Sequence, residues 1–346
     1  MRSKRRNHGG SRFLAILRGV GLVLLWLVIL AGLLWAGAAL FIDLQSSWRL
    51  AVVGLYAAAV LGILILAPNR LVRVLGCIGA FAVVLAWWTL LLQPSETRDW
   101  QKDVDRTAWA EINGNAVTIH NLRNFTYRTE TDYTPVWEER HYDLDQLTAA
   151  DIFLTFWGSP WIAHPIVSFA FADGSHVAIS VEVRKVTGQG YSSVLGFFKQ
   201  YALIYIVSDE RDVIRLRTNY RTGEEVYLYR TTAPPEAARS IFVSYLETVN
   251  ALHEHPAFYN ALTSNCTTNI RVHTLPFAKS PSRWDWRLLL NGKSDEYAYQ
   301  YGRLAGDLPF DALKAQAHIN DTARAADAAA DFSDRIRAGR AGFPAP

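Results

Sequence analysis

Three long runs without a charged residue constrain this chain more than any other feature. They are Val20–Ile42, Leu50–Ala67 and Val74–Leu92. A helix rises about 1.5 Å per residue, so about 20 apolar residues cross the hydrocarbon core of a bilayer. Each run stops at a charge or a breaker: Asp43, then Pro68-Asn69-Arg70, then Gln93-Pro94. Trp48 and the pair Trp87-Trp88 fall near the expected interfaces, where amphipathic rings collect. The pattern predicts a membrane domain over residues 20–93, with helices at 20–42, 50–67 and 74–92. A cleaved signal peptide fits poorly, because the first run exceeds a signal core and two more runs follow it.

Basic residues orient the three spans. The formal charge of the 346-residue chain is +3. Residues 1–93 hold nine Lys/Arg and one acid, a net of +8, while residues 94–346 hold 26 Lys/Arg and 31 acids, a net of −5. Five of the basic residues lie in Met1–Arg12, which marks residues 1–19 as a cytoplasmic tail. The loop Pro68–Arg73 carries two Arg and belongs on the same side, so everything from Pro94 onward is expected outside the cytoplasm. Half the residues are hydrophobic, and Gly and Pro show no period, which excludes disordered and collagen-like classes. The acidic portion lacks the clustered positive charge that nucleic acid requires.

Two cysteines are present. Cys77 lies inside the third run and Cys266 lies far down the acidic portion, so the predicted topology keeps them apart. An exported domain with one unpaired thiol must shield it or use it. The shielding alternative is a small buried side chain that packs as a hydrophobe. The neighbourhood of Cys266 favours use. Ile241, Phe242, Tyr245, Leu246 and Val249 form a helical stripe within Glu236–Leu252, and Pro256 interrupts it. Ser264 or Asn265 is a good N-cap for a second helix, whose first turn then holds Cys266. Free amide groups and the helix dipole at that position favour a thiolate.

A cysteine nucleophile usually works with a histidine that a third group orients. His253, His255 and His273 flank Cys266, but His253-Glu254-His255 lacks the spacing of a zinc site. No metal and no cofactor is expected. His164 and His176 lie in a more informative stretch. Odd positions 165–171 and 177–183 are apolar, and even positions include His164, Ser168, Ser180, Glu182 and Arg184. Alternation on both sides of Asp173-Gly174-Ser175 predicts a β-hairpin. Matching the apolar faces requires paired numbers with an even sum. A three-residue loop at 173–175 pairs Ala172 with His176, sets His164 opposite Arg184, and leaves Glu182 one diagonal step from His164, about 7–8 Å away. His176 lies roughly 26 Å along the strand and cannot share a site with His164. Arg184 is an alternative partner for Glu182.

The stretches IAHPIVSFAFADGSHVAISVEVRK, YSSVLGFFKQYALIYIVSDERDVIRLRTN, VYLYR, FYNALTSNCTTNIR and DFSDRIRAG resemble, in that order, the Lnb N-terminal periplasmic domain family over roughly residues 98–340. That family is similar to papain-like hydrolases and acyltransferases of the NlpC kind in permuted order, with His before Cys. The resemblance implies an α+β fold with an antiparallel sheet and a Cys-bearing helix, placed in the periplasm over 94–346 behind a multi-pass inner-membrane anchor. Its motif His falls on His164, its motif Cys on Cys266, and Glu182 lies in its Ser-x-Glu-x-Arg element. Founding members are implied to complete lipoprotein N-acylation. The three spans are not a general feature of those members.

These readings converge on a membrane-tethered thiol acyltransferase or amidohydrolase acting on lipid, lipoprotein or related acyl substrates through a Cys266 thioester. Cys266, His164 and Glu182 are the catalytic candidates. Asn265, Ser264, Thr267 and Arg184 are candidates for substrate or oxyanion support. A cell-wall peptide amidase and a non-catalytic periplasmic scaffold or sensor are the alternatives. Elsewhere, Tyr201–Val207 and Val213–Arg217 read as a hairpin, Val226–Tyr229 as a strand and Ala312–Arg340 as helical. Arg211, Arg215 and Arg217 are read as an ion-paired sheet surface in preference to an anion site.

Overall fold

The computed structural model describes residues 8–95, 97–277, 285–288 and 290–344. Most of the basic tail, residues 1–7, lies outside them. The chain divides into two units. The first runs to Gln93 and includes Phe198–Gln200, and the second comprises Pro94–Phe197 and Tyr201 onward.

In the first unit three apolar helices follow one another: α1 (His8–Asp43), α2 (Arg49–Leu66) and α3 (Arg70–Ala86), the last continued by a π turn over Trp87–Leu91. All three are long and apolar enough to cross a membrane. α1 begins well before Val20, because Arg12 and Arg18 limit insertion into lipid but not helix formation. Pro68 ends α2, and the Asn69 side chain caps α3 by accepting from Val72 N–H at 2.9 Å. Cys77 and Val84 of α3 pack against Ile29, Leu33, Ala36 and Leu40 of α1. A Cβ on Gly76 would lie 2.7 Å from Ile63, so glycine there permits the close approach of α2 and α3.

The second unit is a mixed sheet covered by helices on both faces. Its strands are β1 (Trp109–Asn113), β2 (Ala116–Arg123), β3 (Thr126–Tyr127), β4 (Tyr133–Thr134), β5 (Trp137–Asp143), β6 (Leu147–Trp157), β7 (Ala163–Phe171), β8 (His176–Arg184), β9 (Ala202–Ser208) and β10 (Glu224–Arg230). The order is β1-β2-β9-β8-β7-β6-β10, with β5 also on β2, and β3–β4 form a separate ribbon. The ladders are antiparallel except for a single parallel contact between Arg123 and Ser208, so the expected antiparallel sheet is mixed. Helix α4 (Glu210–Arg215) precedes β10, and α5 (Pro235–Glu254) and α6 (Cys266–Thr274) follow it. The chain closes with α7 (Ser294–Gln300), α8 (Phe310–Ala317), α9 (Asn320–Ala325) and α10 (Phe332–Arg335).

The α5 stripe Ile241, Phe242, Tyr245, Leu246 and Val249 is buried on the odd-numbered face of β7 and β8, against Val167, Phe169, Phe171, Val177 and Ile179. On the even face, Ile166 and Ala178 pack with Val213 and Ile214 of α4 and with Ile319, Ala323 and Phe332. Period-2 alternation therefore meets apolar cover on one side and a mixed polar–apolar layer on the other.

Two sequence readings fail here. Residues 210–220 are a short α-helix with a π turn, not the second strand of a hairpin. Asp209 caps them by accepting from Arg211 N–H at 2.9 Å, and Glu210 and Asp212 in the first turn suit the helix dipole. Arg217 is accordingly ion-paired, but from this turn and not from a sheet surface. The β7–β8 register is also shifted. Ala170 pairs with His176 and Val167 with Ile179, a sum of 346 in place of 348. The loop has three residues, but they are Ala172–Gly174, closed by Phe171 N–H to Ser175 O at 3.0 Å and Gly174 N–H to Phe171 O at 3.0 Å. A type I turn in such a loop needs a left-handed third residue, and Gly174 supplies it at φ +83°. The displaced loop would have put Ser175 there. Gly174→Ala should therefore cost about 1–2 kcal/mol in denaturant unfolding. Gly190→Ala, whose Cβ meets nothing within 4 Å, should leave the midpoint unchanged.

Candidate active site

The chain between α5 and α6 is built to present Cys266. Pro256 breaks away from α5, and Asn260 Oδ1 accepts from Leu262 N–H at 2.9 Å and Thr263 N–H at 3.0 Å, tightening the turn. Asn265 then starts α6 with a reciprocal capping box. Its Oδ1 accepts from Thr268 N–H at 2.9 Å, and Thr268 Oγ1 accepts from Asn265 N–H at 2.9 Å. Asn265 Nδ2 also donates to Ala261 O at 2.8 Å. Cys266 is thus the first helical residue, where amide groups have no partner one turn back.

The corrected register assembles the other half. Carried on from Ile166–Ser180, it sets His164 level with Glu182. Ser180 Oγ donates to Glu182 Oε1 at 2.7 Å, so it accepts from His164 Nε2 at 2.8 Å. The same nitrogen lies 3.2 Å from Glu182 Oε1. With Nε2 acting as donor to this pair, Nδ1 is left for Cys266, which lines the same cleft. Arg217, from the π turn, donates to Glu182 Oε1 at 2.8 Å and to Glu224 at 3.1 Å.

Burial opposes the charged form of His164, but the Glu182 carboxylate outweighs it, and against Arg217 the His164 pKa still rises to about 9. Burial likewise opposes ionisation of Glu182, and His164 and Arg217 hold it well below the usual carboxylate range. Together, a cation–anion–cation chain runs from buried His164 through half-buried Glu182 to buried Arg217.

These groups line a cleft of about 590 Å³, within the usual range for small-molecule sites. His164, Glu182, Asn265, Cys266 and Thr267 all line it, with Arg217, Tyr259 and Asn291. Two predicted support residues lie elsewhere. Ser264 is outside the lining and accepts from Asn269 Nδ2 at 3.4 Å. The Arg184 guanidinium donates to the carbonyls of Val104 and Asp105, both at 2.9 Å, and lies over the Trp100 ring, so the charge partner of Glu182 is Arg217. His176 sits at the hairpin turn against Gly174 O. His273 is buried between Tyr205 and Ser244, and burial pulls its pKa down to about 4. Among the described residues no three His, Cys, Asp or Glu cluster to hold a metal.

Ser180 and Asn291 escaped the sequence reading as site residues. Ser180 had a signal, since it shares a face with His164 and Glu182. Asn291 had none, because its role depends on contacts 24 and 128 residues away.

The raised His164 pKa has a signed consequence. Its stabilising contribution is complete below about pH 6.5 and is lost as the pH rises through about 9. Glu182→Gln removes the lifting charge, so His164 in that variant should lose its proton at lower pH. Histidine-labelled NMR titration checks this, and an unmoved midpoint would refute the electrostatic account.

No curated protein and no solved structure matches the chain. The family model of the Lnb N-terminal periplasmic domain matches residues 133–292, a segment that contains His164, Ser180, Glu182, Arg217, Cys266 and Asn291. Over that segment the chain is similar to the Lnb N-terminal periplasmic domain family.

Proposed function

We propose that this protein is a membrane-tethered periplasmic thiol acyltransferase or amidohydrolase that works through a thioester on Cys266. The convergence in one cleft of Cys266, at the start of α6, with His164, held by Ser180 and Glu182, carries this reading. The order of His164 on an antiparallel strand pair and Cys266 on a later helix supports a permuted papain-like, NlpC-like arrangement. The cleft also presents Trp157, Ile162 and Leu262, all exposed, which favours substrates with apolar groups.

The reactive form is the Cys266 thiolate beside the His164 imidazolium, with the thiol proton held on Nδ1, and in the first step Sγ attacks an ester or amide carbonyl carbon. The amide N–H of Cys266 and the first-turn dipole stabilise the developing oxyanion. His164 then protonates the departing alcohol or amine, and the carbonyl carbon is left bonded to Sγ. In the second step His164 takes a proton from an amine, alcohol or water, which attacks the thioester carbonyl, and the C–S bond breaks to return the Cys266 thiolate beside the His164 imidazolium. Glu182 and Ser180 orient His164 through Nε2 and stabilise its imidazolium. Thr267 and Asn265 support the helix start that carries Cys266.

The three apolar helices and the basic tail support the localisation. We place the N-terminus in the cytoplasm and the Cys–His domain in the periplasm, on lipid, lipoprotein or related acyl substrates. A membrane-impermeant maleimide should label Cys266 in intact cells with a permeabilised outer membrane, and labelling only after lysis would reverse the topology.

Mass spectrometry of protein from native membranes should find a hydroxylamine-labile acyl group on Cys266, and its mass identifies the donor. Against a lipid ester or diacyl lipopeptide, Cys266→Ala should abolish turnover and His164→Ala should lower it by about 10²–10⁴-fold. A folded, inserted Cys266→Ala protein with full turnover would overturn the mechanism.

A further inference from the structure

Three hydrogen bonds from one side chain join the two halves of the site. Asn291 Oδ1 accepts from Ala163 N–H at 2.9 Å, while its Nδ2 donates to Ala163 O at 2.6 Å and to Thr267 Oγ1 at 2.7 Å. Ala163 immediately precedes His164, and Thr267 immediately follows Cys266. A helix and a strand satisfy their backbone groups within themselves or along a ladder, so they need a side chain to bond one to the other. A primary amide suits this place because it offers donors and an acceptor in one plane.

Asn291 is itself fastened. Gly292 N–H donates to Trp161 O at 3.0 Å. A Cβ at Gly292 would lie 2.5 Å from Pro160 O and 2.6 Å from Ile162 N, so only glycine lets the chain seat against this stretch. Ala163 is 1% exposed, which keeps water from competing for its two bonds to Asn291.

We infer that Asn291 is a positioning residue: it sets the separation of His164 and Cys266 by clamping Ala163 to Thr267. This rests on the Cys–His reading above. Asn291→Asp keeps an acceptor for Ala163 N–H but removes both donors and turns a carboxylate toward the Ala163 carbonyl. Thr267→Val keeps the shape of residue 267 and removes the oxygen that Asn291 meets, whereas Thr267→Ser keeps that oxygen.

The test uses the full-length protein in detergent and needs no substrate. Iodoacetamide alkylation of Cys266 is followed by peptide mass spectrometry at pH 7, each variant being compared with its own His164→Ala counterpart. The ratio isolates the part of the rate that depends on His164, which a loss of general stability would leave in place. In the parent protein His164 should accelerate alkylation. Asn291→Asp and Thr267→Val should each reduce that acceleration by about tenfold or more, as misplacement of reacting groups by about 1 Å does. Combining the two should cost no more than either alone, and Thr267→Ser should retain the acceleration within about twofold. Full acceleration in both Asn291→Asp and Thr267→Val would overturn the clamp while leaving the Cys–His pair standing. A parent rate unchanged by His164→Ala would overturn the pair, and the clamp with it.

Discussion

The pairing register of β7 on β8 is the constraint from which the site follows. A sum of 346 sets His164 level with Glu182 and brings Ser180 within reach of both. A shift of two residues would keep every apolar side chain on its proper face, so burial alone does not choose between the registers. The choice is made at the turn, where a left-handed residue is needed and Gly174 is the residue without a Cβ. A backbone angle at one end of the hairpin thus aligns groups at the other.

Charge balance is the second requirement. The even face of the sheet buries ionised groups, and each is matched. Glu182 lies between His164 and Arg217. Arg337 bonds Asp151 and Glu210, and Asp212 takes a bidentate contact from Arg123 with further bonds from Phe125 N–H and Tyr127. Such pairs add little net stability against an apolar core, but removing one member leaves a buried charge that is costly. Of these groups Glu210, Asp212 and Arg217 come from α4 and its π turn, and Arg337 from the turn just after α10, while their partners lie on the sheet. The segment read from sequence as a strand therefore carries the arginine that completes the site.

A third constraint is the hand-over from α5 to α6. Cys266 is the first residue of its helix because Asn265 is held by Thr268, through its backbone N–H and its Oδ1, and by Ala261, through its Nδ2. That arrangement spends the Asn265 amide on capping and leaves the backbone amide of Cys266 at the helix start. The residue serves Cys266 through the helix it begins.

What was legible in the sequence follows from local periodicity and local chemistry. Uncharged runs of membrane-spanning length, period-2 alternation across Asp173-Gly174-Ser175, the α5 stripe and an N-cap before Cys266 can each be read within about twenty residues. They led to three apolar helices, a hairpin with the right faces, and a cysteine at a helix start. The Ala312–Arg340 tail was legible only as helical content; it folds as separate short helices with turns between them. Choices between distant partners were not legible. Glu182 takes Arg217 from 35 residues away and not Arg184 from two, because Arg184 reaches the carbonyls of Val104 and Asp105. Asn291 meets Ala163 from 128 residues away. The sequence by itself determined which segments are apolar, which alternate and where helices begin, since those depend on neighbours along the chain. Only the tertiary structure decided which cation faces Glu182 and which amide bridges strand to helix, because those are settled by competition among groups that meet only when the sheet is covered.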